Sequence, residues 1–213
     1  ALNQASPAPL EEKTMFSLYV FDTCNPHWKP TVDFYKELKD EIQDRVDRGV
    51  GAVYPENFRF MTDSQPPWAF LDVFRYLTQE YGAVSVGSLY IFAFASWRLG
   101  DEGSLIPAQT LQEQGIDLSS KSREEVIRIY AEQLLAGFAA GVLFNIPAKS
   151  RTVKQMCKQW KSQAMLMHLN RGCEGLALGQ MQNKLELTKA DIPKECHPEQ
   201  NKGSSPIRAS SDL

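Results

Sequence analysis

Cysteine and histidine are scarce in this chain. Its 213 residues hold four of the first and three of the second, too few for a disulfide framework. A reducing, cytoplasmic setting is therefore the expectation. A basic surplus is also missing: 23 Lys and Arg against 26 Asp and Glu leave a net charge of −3, which gives no electrostatic footprint for nucleic acid. No apolar run approaches the ~20 residues that span a bilayer, and the first residues lack the layout of a signal peptide. No membrane partner is expected. Internal repeats are absent, which excludes a solenoid. What remains is an ordinary globular composition, 43% hydrophobic, long enough to bury one good core.

Periodicity then orders the chain. Residues 1–13 are a polar lead, and TMFSLYVFD (14–22) is an apolar stretch that reads equally as a short helix or a strand. From about Pro30 to Arg48 the spacing is helical, with Tyr35, Leu38, Ile42 and Val46 on one side. Phe58 to Met61 reads as a strand. Pro66-Pro67 opens a helix with Phe70, Phe74 and Leu77 facing inward and Gly82 closing it, and Ala83 to Tyr90 is a second strand. Between Ile91 and Lys121 the signal weakens; Phe92, Phe94 and Trp97 there suit a core as well as a pocket. Ser122 and Glu125 form a capping box for a helix through Ala136. Ser150 to Lys161 is another helix, with Val153, Met156, Cys157 and Trp160 on one face, so Cys157 reads as a packing residue. A buried strand follows from Ala164 to Leu169.

Strand–helix–strand followed by helix–strand–helix predicts an α/β fold, a parallel sheet flanked by helices in a flavodoxin-like or Rossmann-like three-layer arrangement. The expected domains are a polar lead and helical segment over 1–55, an α/β domain over 56–193, and a polar, disordered tail over 194–213. The ligand site of such a sheet lies at the carboxyl ends of its strands. Three turns should meet there: Asp63 to Trp68, the segment after Tyr90, and Asn170 to Gly175.

That last turn carries Cys173. Asn170, Arg171 and Gly172 break the strand, and after Gly175 the apolar residues Leu178, Met181 and Leu185 take helical spacing. A cysteine at the mouth of such a turn sits beside the first free N–H groups of a helix, which favour negative charge. Such a thiolate can serve as nucleophile, redox group or metal ligand. The plainer reading is a small buried hydrophobe. Trp68, stiffened by two prolines, suits a flat wall for a ring or thioester, or simple core packing. His168 either faces the pocket or is satisfied by backbone. Asn170 either donates to a substrate carbonyl or closes the turn, and Arg171 and Glu174 either act on the site or pair at the surface. Cys24 with His27, and Cys196 with His197, offer two ligands each where a metal needs about four.

At these residues a family resemblance appears. HLNRGCEGLALGQMQNKL (168–185), followed by Ile192-Pro193, resembles the carboxy-terminal half of the 2-hydroxyacyl-CoA dehydratase and benzoyl-CoA reductase superfamily. RGCEG with GQM looks most like the benzoyl-CoA reductase branch; dehydratase subunits more often carry Ser-Cys-Lys where this chain has Gly172, Cys173 and Glu174. FRFMTDSQPPWAFLDVFRYLTQEYGAVSVGSLY (58–90) matches the superfamily's strand, Pro-Pro-Trp turn, helix and second strand. The likeness runs over roughly residues 30 to 193. Such subunits are about twice this long, and an amino-terminal half supplies two further cluster cysteines, so the chain is expected to be a fragment, inactive in isolation.

The resemblance implies a chemistry. Cys173 would be one thiolate ligand of a [4Fe–4S] cluster shared with cysteines outside this chain, and Trp68 and Asn170 would lie against the substrate. A paired, related subunit and an ATP-hydrolysing activator that delivers single electrons would be its partners. The substrate would be an acyl-CoA thioester, aromatic or 2-hydroxy, reduced through a ketyl-type radical. A non-catalytic α/β remnant that only binds a partner is the alternative of a different class.

Overall fold

A computed structural model describes residues 2–25, 28–63, 65–94, 97–168, 172–190 and 192. From the amino end, α1 (Glu12–Cys24) and α2 (Lys29–Asp47) lead into β1 (Phe58–Asp63), α3 (Asp72–Tyr81), β2 (Ala83–Ser88) and α4 (Leu89–Phe94). A short antiparallel hairpin, β3 (Trp97–Leu99) and β4 (Leu105–Pro107), precedes α5 (Arg123–Leu135), α6 (Phe138–Val142) and α7 (Ile146–Gln159). Then come β5 (Ala164–Met167), the single turn α8 (Glu174–Ala177) and α9 (Gln180–Lys189).

The α/β architecture is a three-stranded parallel sheet in the order β2-β1-β5, flanked by helices. Its strands are short, and β1 and β2 are covered on both faces, so that their polar residues Arg59, Thr62, Asp63, Ser85 and Ser88 are buried along with the apolar ones. Every residue of β2 is buried, and so is every residue of β1 after Phe58. Alternation assigns the cover. Phe60 stacks on Phe74 of α3, and Thr62 bonds Glu12 of α1, on one face. Arg59 reaches the carbonyl of Trp160 after α7, and Asp63 reaches Asn183 of α9, on the other. Ala8, Met15 and Phe16 lie in the same core as Phe60 and Val84.

The stretch 14–22, open between helix and strand by periodicity, is helical. β2 carries a bulge: between Phe60↔Ser85 and Thr62↔Ser88, β1 advances by two residues and β2 by three. Gly87, at φ 150°, sits inside it, and a Cβ there would lie 2.6 Å from the Phe92 ring. Gly82 closes α3 in the left-handed conformation at φ 60°.

Three expectations need correction. β2 ends at Ser88, and Leu89 and Tyr90 already begin α4, where Leu89 packs as core. Phe70 is 71% exposed, because a 3-10 turn over Trp68–Phe70 swings it off the face that Phe74 occupies. The helix after Cys173 is one turn of four residues, and left-handed Gly179 separates it from α9. The dipole argument for that turn is correspondingly weak. The apolar residues read at helical spacing, Leu178, Met181 and Leu185, face outward at 44%, 70% and 48% exposure, while Asn183 and Leu187 are buried. The expected tail, 194–213, lies outside the described residues.

Candidate functional site

The carboxyl ends of β1, β2 and β5 gather the candidate residues. Trp68, just after β1, packs its ring 5.3 Å from Phe16 and edge-to-face 5.8 Å from Tyr90, which opens α4 after β2. Tyr90 and Tyr19 of α1 share a hydroxyl–hydroxyl bond of 2.9 Å. Burial, the Tyr19 hydroxyl and the nearby charge of Cys173 all push the Tyr90 hydroxyl well above the ordinary tyrosine range. It therefore keeps its proton. Cys173 is half-buried against the core and within electrostatic reach of Tyr90. Of the three turns expected at this edge, those of Trp68 and Tyr90 meet in ring contact, and Cys173 lies within electrostatic reach of Tyr90.

His168 takes the backbone role. Its Nδ1 lies 2.8 Å from Gln65 O, a carbonyl that only accepts, so Nδ1 carries the proton. Its own carbonyl accepts from Gln180 Nε2 at 2.8 Å, which ties the end of β5 to the first turn of α9. Asn170 and Arg171 lie outside the described residues, as do His27, Cys196 and His197. Phe92 is core: its ring sits 4.6 Å from Trp160 and 6.0 Å from Trp97. Cys24 is exposed at the end of α1. Cys157 is buried, and burial together with the Asp63 charge pushes its thiol up to about 12, so it remains a protonated packing group.

Periodicity missed a buried polar cluster behind the cysteine. Lys149, in the first turns of α7, has no exposed side-chain surface, and its Nζ donates to Leu176 O and, at 3.0 Å, to Leu178 O. Asp63 Oδ1 stands 3.8 Å from the same nitrogen. Asp63 Oδ2 accepts from Asn183 Nδ2 at 2.9 Å, and Asn183 Oδ1 accepts from Ser150 Oγ at 2.8 Å. Burial lowers the Lys149 ammonium from its ordinary value, while Asp63 and Cys173 hold it up. The signal for Lys149 was present: it falls four, seven and eleven residues before Val153, Met156 and Trp160, on the apolar stripe of α7.

Across the sheet a second acid was missed. Glu12 is fully buried, accepts from Thr62 Oγ1 at 2.6 Å, and is also bonded by Ser85 and Ser88. Burial raises its carboxyl to about 7 against the opposing pull of those hydroxyls. The bulge in β2 makes this cradle possible, since residues three apart on a regular strand face opposite ways.

As a metal centre the edge fits one ligand. Cys173 presents a single accessible thiol, and among the described residues no three His, Cys, Asp or Glu side chains come together to hold an ion. A cluster that needs several thiolates would draw the rest from elsewhere. A cleft of about 580 Å³ opens separately between the β3–β4 hairpin and α5, lined by Trp97, Leu118, Ile129 and Phe138 among others. Its polar groups answer each other: Arg98 donates to Gln133 O at 3.0 Å and to Gln133 Oε1 at 2.6 Å. Among the described residues no helix is long and apolar enough to cross a membrane.

Comparison with known proteins adds one match. The family model described as 2-hydroxyglutaryl-CoA dehydratase, D-component, covers residues 1–194. No curated protein matches the chain.

Proposed function

The chain belongs to the 2-hydroxyglutaryl-CoA dehydratase D-component family, and from that premise we propose that it serves as an iron–sulfur subunit acting on a CoA thioester, with Cys173 as one ligand of a [4Fe–4S] cluster. The observation that carries this reading is the position of Cys173, the one half-buried thiol among the described residues at the carboxyl edge of the sheet, beside Tyr90 and Lys149. When bound, such a cluster supplies one-electron chemistry at low potential.

The chain's own residues bind and orient. Trp68 leaves 44% of its surface open beside Tyr90, a flat apolar wall for an acyl group. Tyr90 keeps its proton and offers a hydrogen bond at the same edge. Between branches, Gly172-Cys173-Glu174 and the aromatic wall favour reduction of an aromatic acyl-CoA, of the benzoyl-CoA reductase kind. The family match itself favours the second reading, loss of water from a 2-hydroxyacyl-CoA. Both readings need a paired, related subunit and an ATP-hydrolysing electron donor. Turnover separates them: a reductase consumes reductant in step with product, and a dehydratase uses it only catalytically.

The test is anaerobic reconstitution of the assembled enzyme, followed by iron counting and EPR. Cys173→Ala is expected to abolish the cluster signal, and a cluster that survives this change would refute the assignment. Trp68→Ala should leave the EPR spectrum intact and weaken binding of an aromatic thioester about tenfold, the loss of roughly 1.4 kcal/mol of ring contact.

A further inference from the structure

A lysine almost never loses all contact with water unless something answers its charge. Lys149 has lost it, yet Asp63 is not its closest partner. The carboxylate stands 3.8 Å away and directs its other oxygen to Asn183, while Lys149 Nζ sits on the carbonyls of Leu176 and Leu178. Those carbonyls belong to the turn that begins at Cys173. Leu176 lies in the α8 turn, whose last residue, Ala177, donates its N–H to Cys173 O at 3.1 Å, and Leu178 follows it. One ammonium therefore fastens the cysteine turn to the end of β1 through α7. Cys173 itself lies within electrostatic reach of that ammonium.

We propose that Lys149 is a positioning residue for the Cys173 site: it pins the turn that carries the sulfur and sets a positive charge beside it, opposed from behind by Asp63. The proposal rests on the reading of Cys173 as a cluster ligand. A cation near a thiolate-held redox centre stabilises its more negative, reduced state and raises its potential; a carboxylate does the reverse. An ordinary core ion pair would have no such effect, and this separates the proposal from a purely structural role. The chain invests a buried cation here in preference to the methionine or leucine that would pack the same space.

The test uses the assembled enzyme, reconstituted anaerobically, with iron content, EPR and a redox titration as readouts. Lys149→Met should move the midpoint to more negative potential and alter the EPR spectrum. Asp63→Asn should move the midpoint the opposite way. Should Lys149→Met not fold, Lys149→Met combined with Asp63→Asn removes both charges at once, and the freed turn should still change the EPR spectrum and release iron faster. Spectrum, midpoint and iron retention all unchanged in whichever of these folds, with Cys173→Ala devoid of cluster, would overturn the proposal. A cluster that persists in Cys173→Ala would overturn the reading beneath it.

Discussion

Glu12 is an acid held by hydroxyls where most buried carboxylates are held by cations. Thr62, Ser85 and Ser88 donate to it, yet burial outweighs them and lifts its carboxyl from an ordinary 4.5 to about 7. Between those two values the folded chain holds the Glu12 proton more tightly than the unfolded chain does. The residue therefore contributes stability that is full below pH 4.5 and is lost as the pH rises to about 7. The difference amounts to about 3 kcal/mol. Glu12→Gln cannot ionise and keeps the shape, so it should match the parent near pH 4.5 and exceed it by up to ~3 kcal/mol at pH 8. Urea midpoints at the two pH values check this, and parallel pH profiles would sink it. Cys173 and Trp68 were legible in the sequence because turns advertise themselves through Gly, Pro and broken periodicity. Glu12 and Asn183 were not, and Lys149 showed only as a charge on the apolar stripe of α7. Each stands where a helix turns inward, Glu12 one helical step from Met15 and Phe16, and an inward polar residue makes sense only once its partners on other elements are known.

The elements show the same limit. Leu178, Met181 and Leu185 have helical spacing, yet the side that α9 buries carries Asn183 and Leu187. The Ser150–Asn183–Asp63 chain of hydrogen bonds turns the helix so that its polar side meets α7 and its apolar stripe meets solvent. No rule of periodicity anticipates this, because the driving contact is polar and long-range. Two substitutions separate the alternatives. Leu187→Ala should cost about 3 kcal/mol through the cavity it leaves, and Met181→Gln should stay within about 0.5 kcal/mol; thermal melts showing the reverse order would put Met181 on the buried side. β2 offers a second element-scale test. At Gly87 a side chain meets both an unfavourable φ and the Phe92 ring, so Gly87→Ala should cost about 3 kcal/mol. Where local signals are strong, sequence and structure agree. The Ser122–Glu125 box does cap α5, and Val153, Met156, Cys157 and Trp160 are the buried face of α7 and its cap. The stretch 97–121 was opaque because its strands are three residues long, too short to display a period.

At the scale of the molecule, Arg59 joins what the chain separates. It is 3% exposed on β1, and its guanidinium donates to Ala5 O at 2.8 Å, to Glu56 Oε1 at 2.6 Å and to Trp160 O at 3.0 Å. Glu56 in turn accepts from Ala8 N at 2.6 Å, and the Arg59 backbone exchanges bonds with Gln163 at 2.9 and 2.8 Å. The polar lead, the approach to β1 and the end of α7 are fixed to one side chain, and the approach to β5 to the backbone of the same residue. A forked, planar donor is what such a junction needs. A lysine carries the charge but cannot reach carbonyl and carboxylate in three directions at once. Arg59→Met leaves Glu56 charged and nearly buried, and strips two carbonyls of their donor, so it should cost about 4 kcal/mol. Arg59→Lys should recover little of that, whereas adding Glu56→Gln to Arg59→Met should recover more, because the second change removes the stranded charge. Urea unfolding measures all three. The slope of the transition carries the larger question: with the lead bound into the core through Ala8, Met15 and Phe16, the parent should unfold in one step. In Arg59→Met a shallower slope would show the lead coming away first, which makes Arg59 the residue that couples it to the sheet. A loss under 1 kcal/mol with an unchanged slope would mean that the apolar contacts of the lead suffice without it.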